Sequence, residues 1–159
     1  KAIAKHLPDA WDAMVTAKLE VPFARLYAPT LANISLSGKA ADIALTLGLL
    51  SPNYELAALD AAPSFLTTLA AGAPISPKTH VEFAIFAGFT GAEPAPDLVA
   101  LAHTGNLGEA LLQSITTFNA SLAGDTGALT ATLAFWRFVG LEDVARKAAL
   151  QILILDRTS

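Results

Sequence analysis

Four glycines, Gly38, Gly72, Gly105 and Gly140, fall 34, 33 and 35 residues apart, each ahead of a predicted helix. No other feature constrains the fold as much. A period near 34 residues is what helix-turn-helix repeats show, because one helical hairpin cannot bury its own apolar face and must stack on neighbours. The chain between these glycines is rich in strong helix formers, with 33 Ala and 25 Leu among 159 residues. Nowhere do β-branched and aromatic residues alternate with polar ones over a long window, so strands have little support. The expectation is an all-α chain of about eight or nine helices in stacked antiparallel hairpins, an α-α superhelix.

Proline and glycine divide the chain into segments. Pro8 and Asp9 open a predicted helix to about Glu20, with Trp11, Val15 and Leu19 on one stripe. Pro22 opens a second, with Phe23, Leu26, Tyr27 and Leu31 as its apolar face and Pro29 as a kink or stop. Further helices are expected from Lys39 to Leu50, and from Glu55 to Ala71 with a break at Pro63 and a cap at Asp60. Ser76 and Pro77 signal a helix to Phe89, followed by a short one over Asp97 to His103. Asn106 with Glu109 reads as a capping box opening a helix to Leu122. The last pair runs from Thr126 to Val139 and from Leu141 to Asp156.

The turns at Gly105 and Gly140 share a local pattern. Gly105-Asn106-Leu107-Gly108-Glu109-Ala110 and Gly140-Leu141-Glu142-Asp143-Val144-Ala145 both read Gly-x4-Ala. Glycine accepts turn conformations that a Cβ forbids, and alanine at a helix contact shortens the interaxial distance. Leu101 and Trp136 stand four residues before each glycine, where a large residue of the first helix would pack. Over about the last 60 residues this resembles the tetratricopeptide-like (TPR-like) hairpin repeat. Ser114 and Ala149 stand where that repeat has a bulky aromatic, no proline closes either module, and Gly38 and Gly72 lack the alanine. The resemblance implies an α-solenoid whose surface binds a protein segment.

Composition excludes some chemistry. The chain has no cysteine, hence no thiol nucleophile, disulfide or thiolate metal site. Ten Lys plus Arg against 14 Asp plus Glu give a net charge of -4 with no basic run, so nucleic acid is not an expected partner. The most apolar windows are too short to span a bilayer. His6, His80 and His103 share no helix face with a second ligand, and the acidic residues Asp42, Asp60, Asp97 and Asp125 sit near predicted helix starts, where capping explains them. No phosphate-binding loop or nucleophile elbow occurs, so no catalytic, cofactor-binding or metal-binding residue is assigned and no cofactor is expected. Asn33-Ile34-Ser35 and Asn119-Ala120-Ser121 match the glycan acceptor pattern.

Two aromatic clusters remain. Phe83, Phe86 and Phe89 crowd one helix, while Phe135 and Trp136 crowd another; they form either a core seam or the lining of an apolar groove for a partner. Glu142 with Arg146 and Asp143 with Lys147 are i, i+4 pairs on a solvated face. Opposite them, Leu141, Val144, Ala148, Ile152 and Leu155 are the expected buried stripe, which Leu150 and Ile154 widen enough to suggest contact with a second helix or another chain, either a missing part of the same protein or a second copy through the last helix. The sequence therefore points to one helical domain over residues 1–159, a fragment or terminal part of a larger protein, acting as a non-catalytic interaction or scaffold module. A helical accessory part of a bacterial cell-wall enzyme and an apolar small-molecule binder are the alternatives. The alanine-rich, lysine-poor composition suggests a bacterial chain; composition does not fix the compartment, and bacterial cytoplasm or periplasm is the working expectation.

Overall fold

A computed structural model describes residues 2–155, and every regular element among them is helical. The helices are α1 (Ala2–Ala17), α2 (Glu20–Leu31), α3 (Lys39–Leu49), α4 (Tyr54–Leu59), α5 (Phe65–Ala70), α6 (His80–Thr90), α7 (Pro96–His103), α8 (Leu107–Ser121), α9 (Thr126–Phe138) and α10 (Glu142–Leu155). They group into two compact units, residues 1–71 with α1 to α5 and residues 72–159 with α6 to α10.

In the first unit α3 packs against α1, α2 and α4. Its Leu47 is wholly buried, as is Leu69 of α5. The close approach of α3 and α4 depends on Gly48, where a Cβ would lie 2.6 Å from the Cβ of Ala57. The first helix starts before Pro8 and runs through it. A proline there forfeits one backbone bond, to Ala4, which the rest of the helix tolerates. It ends instead at Lys18, whose φ of 56° makes it the one non-glycine residue with positive φ among those described. The Leu19 amide then donates to the Met14 carbonyl at 2.9 Å and the Lys18 amide to the Val15 carbonyl at 3.1 Å, the paired bonds of a Schellman turn.

The buried face of α2 differs from the expected one. Ala24, Ala28 and Leu31 are inside, whereas Leu26 and Tyr27 are exposed. Small side chains let the helix axes approach, and the larger apolar ones are left on the outer side. In α10, Ala145, Ala149, Leu150 and Ile152 are buried and Val144 is exposed. Of the expected stripe with its two flanking residues, Ile152 and Leu150 are buried, so Leu150 belongs to the core and does not widen an outer face.

In the second unit α7 and α8 form one antiparallel hairpin and α9 and α10 another. Their turns are chemically the same. Asn106 donates to the Leu101 carbonyl at 3.0 Å and Leu141 to that of Trp136 at 2.7 Å, while Gly105 and Gly140 have φ of 85° and 84°. Both are Schellman turns, so the glycines are conformationally required. Ala110 and Ala145, five residues on, are completely buried. The central element is α9, which packs on α6, α8 and α10. Burial of its Leu129, Thr132, Leu133, Ala134, Phe135 and Trp136 covers most of its circumference. Helix α6 lies on α9, three elements further along the chain, so spatial order here is not simply chain order.

Caps account for the other boundary differences. Ser64, not Asp60, starts α5, and Thr79, not Ser76, starts α6. Each forms a reciprocal capping box, Ser64 with Thr67 and Thr79 with Glu82. Asp60 stands at the end of α4, while Asp125 caps α9 as expected, accepting from the Ala128 amide at 2.9 Å. Asn106 makes no side-chain cap. Its amide is already committed to Leu101, so a capping box with Glu109 would have no donor. Asp156, the expected end of the last helix, lies outside the described residues.

Candidate interaction site

The expected aromatic cluster is split by the helices that carry it. Three-residue steps spread Phe83, Phe86 and Phe89 over about 120° of α6, so the two ends of the run meet different surroundings. Phe89 is buried beneath the Arg137 guanidinium, 5.5 Å from its ring centroid. Phe86 is half-buried and Phe83 is 56% exposed. On α9, Phe135 is completely buried and Trp136 nearly so. The Trp136 indole N–H donates to Ser114 Oγ on α8 at 2.8 Å, and its ring lies 5.1 Å from that of Phe118. Ser114, at a position where the resemblance calls for an aromatic, is thus the acceptor that lets an indole be buried. Of the five aromatics, Phe83 and the outer part of Phe86 reach the surface.

The contact between α6 and α9 is unusually close. A Cβ on Gly88 would lie 2.9 Å from Leu133 Cβ and 3.2 Å from the Thr130 carbonyl oxygen. Two side chains of α9 reach across to the α6 backbone. Thr130 Oγ1 donates to the Ala84 carbonyl and Arg137 Nη1 to the Gly88 carbonyl, both at 3.0 Å. The second bond satisfies one of the carbonyls left open at a helix C-terminus and places a cation at its negative end.

Among the described residues no group of three or more His, Asp or Glu is placed to hold a metal ion. Nor is any helix there long and apolar enough to cross a membrane. The two ion pairs of α10 form as expected, each at 2.7 Å, but Arg146 is only 15% exposed. Its guanidinium atoms lie 3.5 Å from where a Cβ of Gly72 would stand. That is ordinary contact distance, and it is the φ of 83° at Gly72 that calls for glycine.

What the first unit offers instead is apolar concavity. A groove of about 390 Å³ runs between α1 and α2, lined by His6, Leu7, Ala10, Phe23, Leu26, Tyr27, Thr30 and Leu31. The Phe23 and Tyr27 rings lie 4.6 Å apart along one wall, and Leu26 is 72% exposed. None of the lining residues is a carboxylate, a lysine or an arginine. A second groove of about 340 Å³ lies between α2, α3 and α4, floored by Ala28, Ala32, Ala44, Gly48 and Ala57, with Leu56 and Asp60 at its side. The sequence names Phe23, Leu26, Tyr27 and Leu31 as the apolar face of this helix, and three of the four, all but Leu31, are left at least partly exposed. The alanines at the i, i+4 positions 24 and 28 were the signal that the face turned inward was a different one.

Comparison of the chain with protein-family models, curated proteins and solved structures found no match in any of the three.

Proposed function

We propose that the protein is a non-catalytic interaction module of the stacked-hairpin, TPR-like kind, and that it binds an apolar segment of a protein partner in the α1–α2 groove. One observation carries this reading. Helix α2 turns Ala24 and Ala28 inward and leaves Leu26 and Tyr27 outside, where with Phe23 they line the groove. Isolated exposed leucines are ordinary, but Leu26 and Tyr27 line a concave surface without a carboxylate, lysine or arginine, the kind of site that another apolar surface covers. A helix presenting residues at i, i+3 and i+4 is the segment such a groove fits, with Tyr27 and Thr30 supplying hydrogen bonds at its edge.

The repeated Schellman turns and buried alanines at positions 105 to 110 and 140 to 145 support the hairpin-repeat part of the reading. In the second unit, Phe83 with the exposed part of Phe86 offers a further apolar contact, and the half-buried outer side of α10 around Val144 another.

The test is capture of a partner from the native lysate by the wild-type chain, beside Leu26→Asp and Phe86→Asp. Residue 26 is exposed, so Leu26→Asp keeps the fold and its circular dichroism. Loss of the partner from that folded variant is the expected result. Retention of the partner by Leu26→Asp, with its loss from a folded Phe86→Asp, would move the site to α6. A small molecule retained in native mass spectrometry, with no protein captured, would replace the proposal by ligand binding.

A further inference from the structure

The groove between α2, α3 and α4 differs from the one between α1 and α2 in carrying a charge. The two share only Leu31. Asp60 lines the second groove, whereas no lysine, arginine or histidine does. Among the described residues nothing forms a hydrogen bond or an ion pair with its carboxylate. Its position in the chain makes that unusual. Asp60 is the C-terminal cap of α4, where the last carbonyls already present partial negative charge and a cation is the stabilising side chain. The end of α2, at Ala28, Leu31 and Ala32, borders the same groove, and none of α2, α3 and α4 has a basic residue in its last turn. The remaining lining is apolar, with Ala44 and Ala57 on the floor and Leu56, 66% exposed, at the side.

From this we propose that the groove receives a lysine or arginine side chain carried on an apolar helix of a protein partner, its cationic head on Asp60 and its stem along the alanine floor. Charge decides the occupant. An acidic segment is repelled by the carboxylate and by the helix ends, and a wholly apolar one would cover Asp60 without giving it a partner, at a cost in free energy. Long basic side chains lay their methylene stems on apolar surface and keep the head in water, which suits a groove that is apolar below and has an exposed carboxylate at its edge. Alanine at the contact lets a second helix axis come close. A volume of about 340 Å³ is at the low end for a ligand site and holds one long side chain with its helical neighbours. An exposed ion pair and a helix end each contribute little, so Asp60 selects among apolar helices and the floor supplies most of the affinity. The inference does not depend on occupancy of the α1–α2 groove.

The probe is a capped helical peptide of alanine and leucine with one central lysine, titrated into the whole isotope-labelled chain beside the same peptide with norleucine or glutamate in place of lysine. Amide chemical shifts read both affinity and place. Saturable shifts are expected at Gly48, Ala57 and Ala61, with the lysine peptide bound about five- to twentyfold more tightly than the norleucine peptide and the glutamate peptide weakest. Raised salt narrows the difference. Position 60 is exposed, so its variants keep the native circular dichroism. Asp60→Asn is expected to bring the lysine peptide down to the affinity of the norleucine peptide, and Asp60→Lys to make the glutamate peptide the best of the three. Equal binding of the lysine and norleucine peptides would overturn the proposal, as would a lysine preference that survives Asp60→Asn. So would the absence of saturable shifts, or shifts confined to Phe23, Leu26 and Tyr27, which would assign the peptide to the α1–α2 groove instead.

Discussion

Replacing Gly88 by alanine puts one methyl group into the closest helix contact of the second unit. The new Cβ would stand 2.9 Å from Leu133 Cβ and 3.2 Å from the Thr130 carbonyl, where carbon atoms prefer roughly 3.5–4.0 Å. Both obstacles are fixed to the α9 backbone, so no rotamer change relieves them and the two helices must separate by about half an ångström. Separation in turn stretches the Thr130 to Ala84 and Arg137 to Gly88 hydrogen bonds, now 3.0 Å each. Overpacking of this kind costs about 1–3 kcal/mol, and the immovable neighbours place it toward the upper end. Alanine's better helix propensity returns about 1 kcal/mol. The expected net loss is about 1–2 kcal/mol, read as a lower urea midpoint at constant slope in far-UV circular dichroism. Gly108→Ala is the control, since nothing lies within 4 Å there; in the first turn of α8 it should gain a fraction of about 1 kcal/mol from the same propensity term. A Gly88→Ala variant as stable as wild type, or gaining as Gly108→Ala does, would refute the close packing of α6 on α9.

Other perturbations have equally definite outcomes. Lys18→Gly removes the side chain from a φ of 56° and is expected to stabilise the chain by about 1 kcal/mol in the same titration. Ser114→Ala leaves the buried Trp136 indole N–H without its 2.8 Å acceptor and should cost about 1–3 kcal/mol. In a double-mutant cycle with Trp136→Phe, the combined loss should fall below the sum of the single losses. Thr79→Ala removes the α6 cap, in which Thr79 Oγ1 accepts from the Glu82 amide at 3.2 Å, and is expected to cost about 1 kcal/mol.

Helix content was legible in the sequence because alanine and leucine dominate it, and most boundaries fell within a few residues because proline and glycine act locally. Thr79-x-x-Glu82 was also legible as a capping box, but Ser76-Pro77 three residues earlier competes with it as a start signal, and only the Glu82 side chain decides between them. Asn106 and Glu109 carry the same capping pattern without forming it, because the preceding Schellman turn has taken the Asn106 amide. Register of burial was the least legible property. Ranking by hydrophobicity selects Leu26 and Val144, whereas packing selects Ala24, Ala28, Ala145 and Ala149, since a small contact surface gains from closer helix axes what it lacks in area. The α1–α2 groove is a consequence of that choice and depends on two helices together, so no local pattern announces it. The α6–α9 crossing left one trace, the small residues Ala84 and Gly88 one turn apart.

The central claim, that the α1–α2 groove receives an apolar segment of a protein partner, is tested most directly by a photo-crosslinking amino acid at position 26. The same group at exposed Asp97, in the second unit, serves as the control, and each variant is irradiated in native lysate. The account predicts a discrete adduct from position 26 whose crosslinked peptide is an apolar, helix-forming stretch of one protein, with none from position 97. Adducts from both positions alike, or from neither, would contradict it.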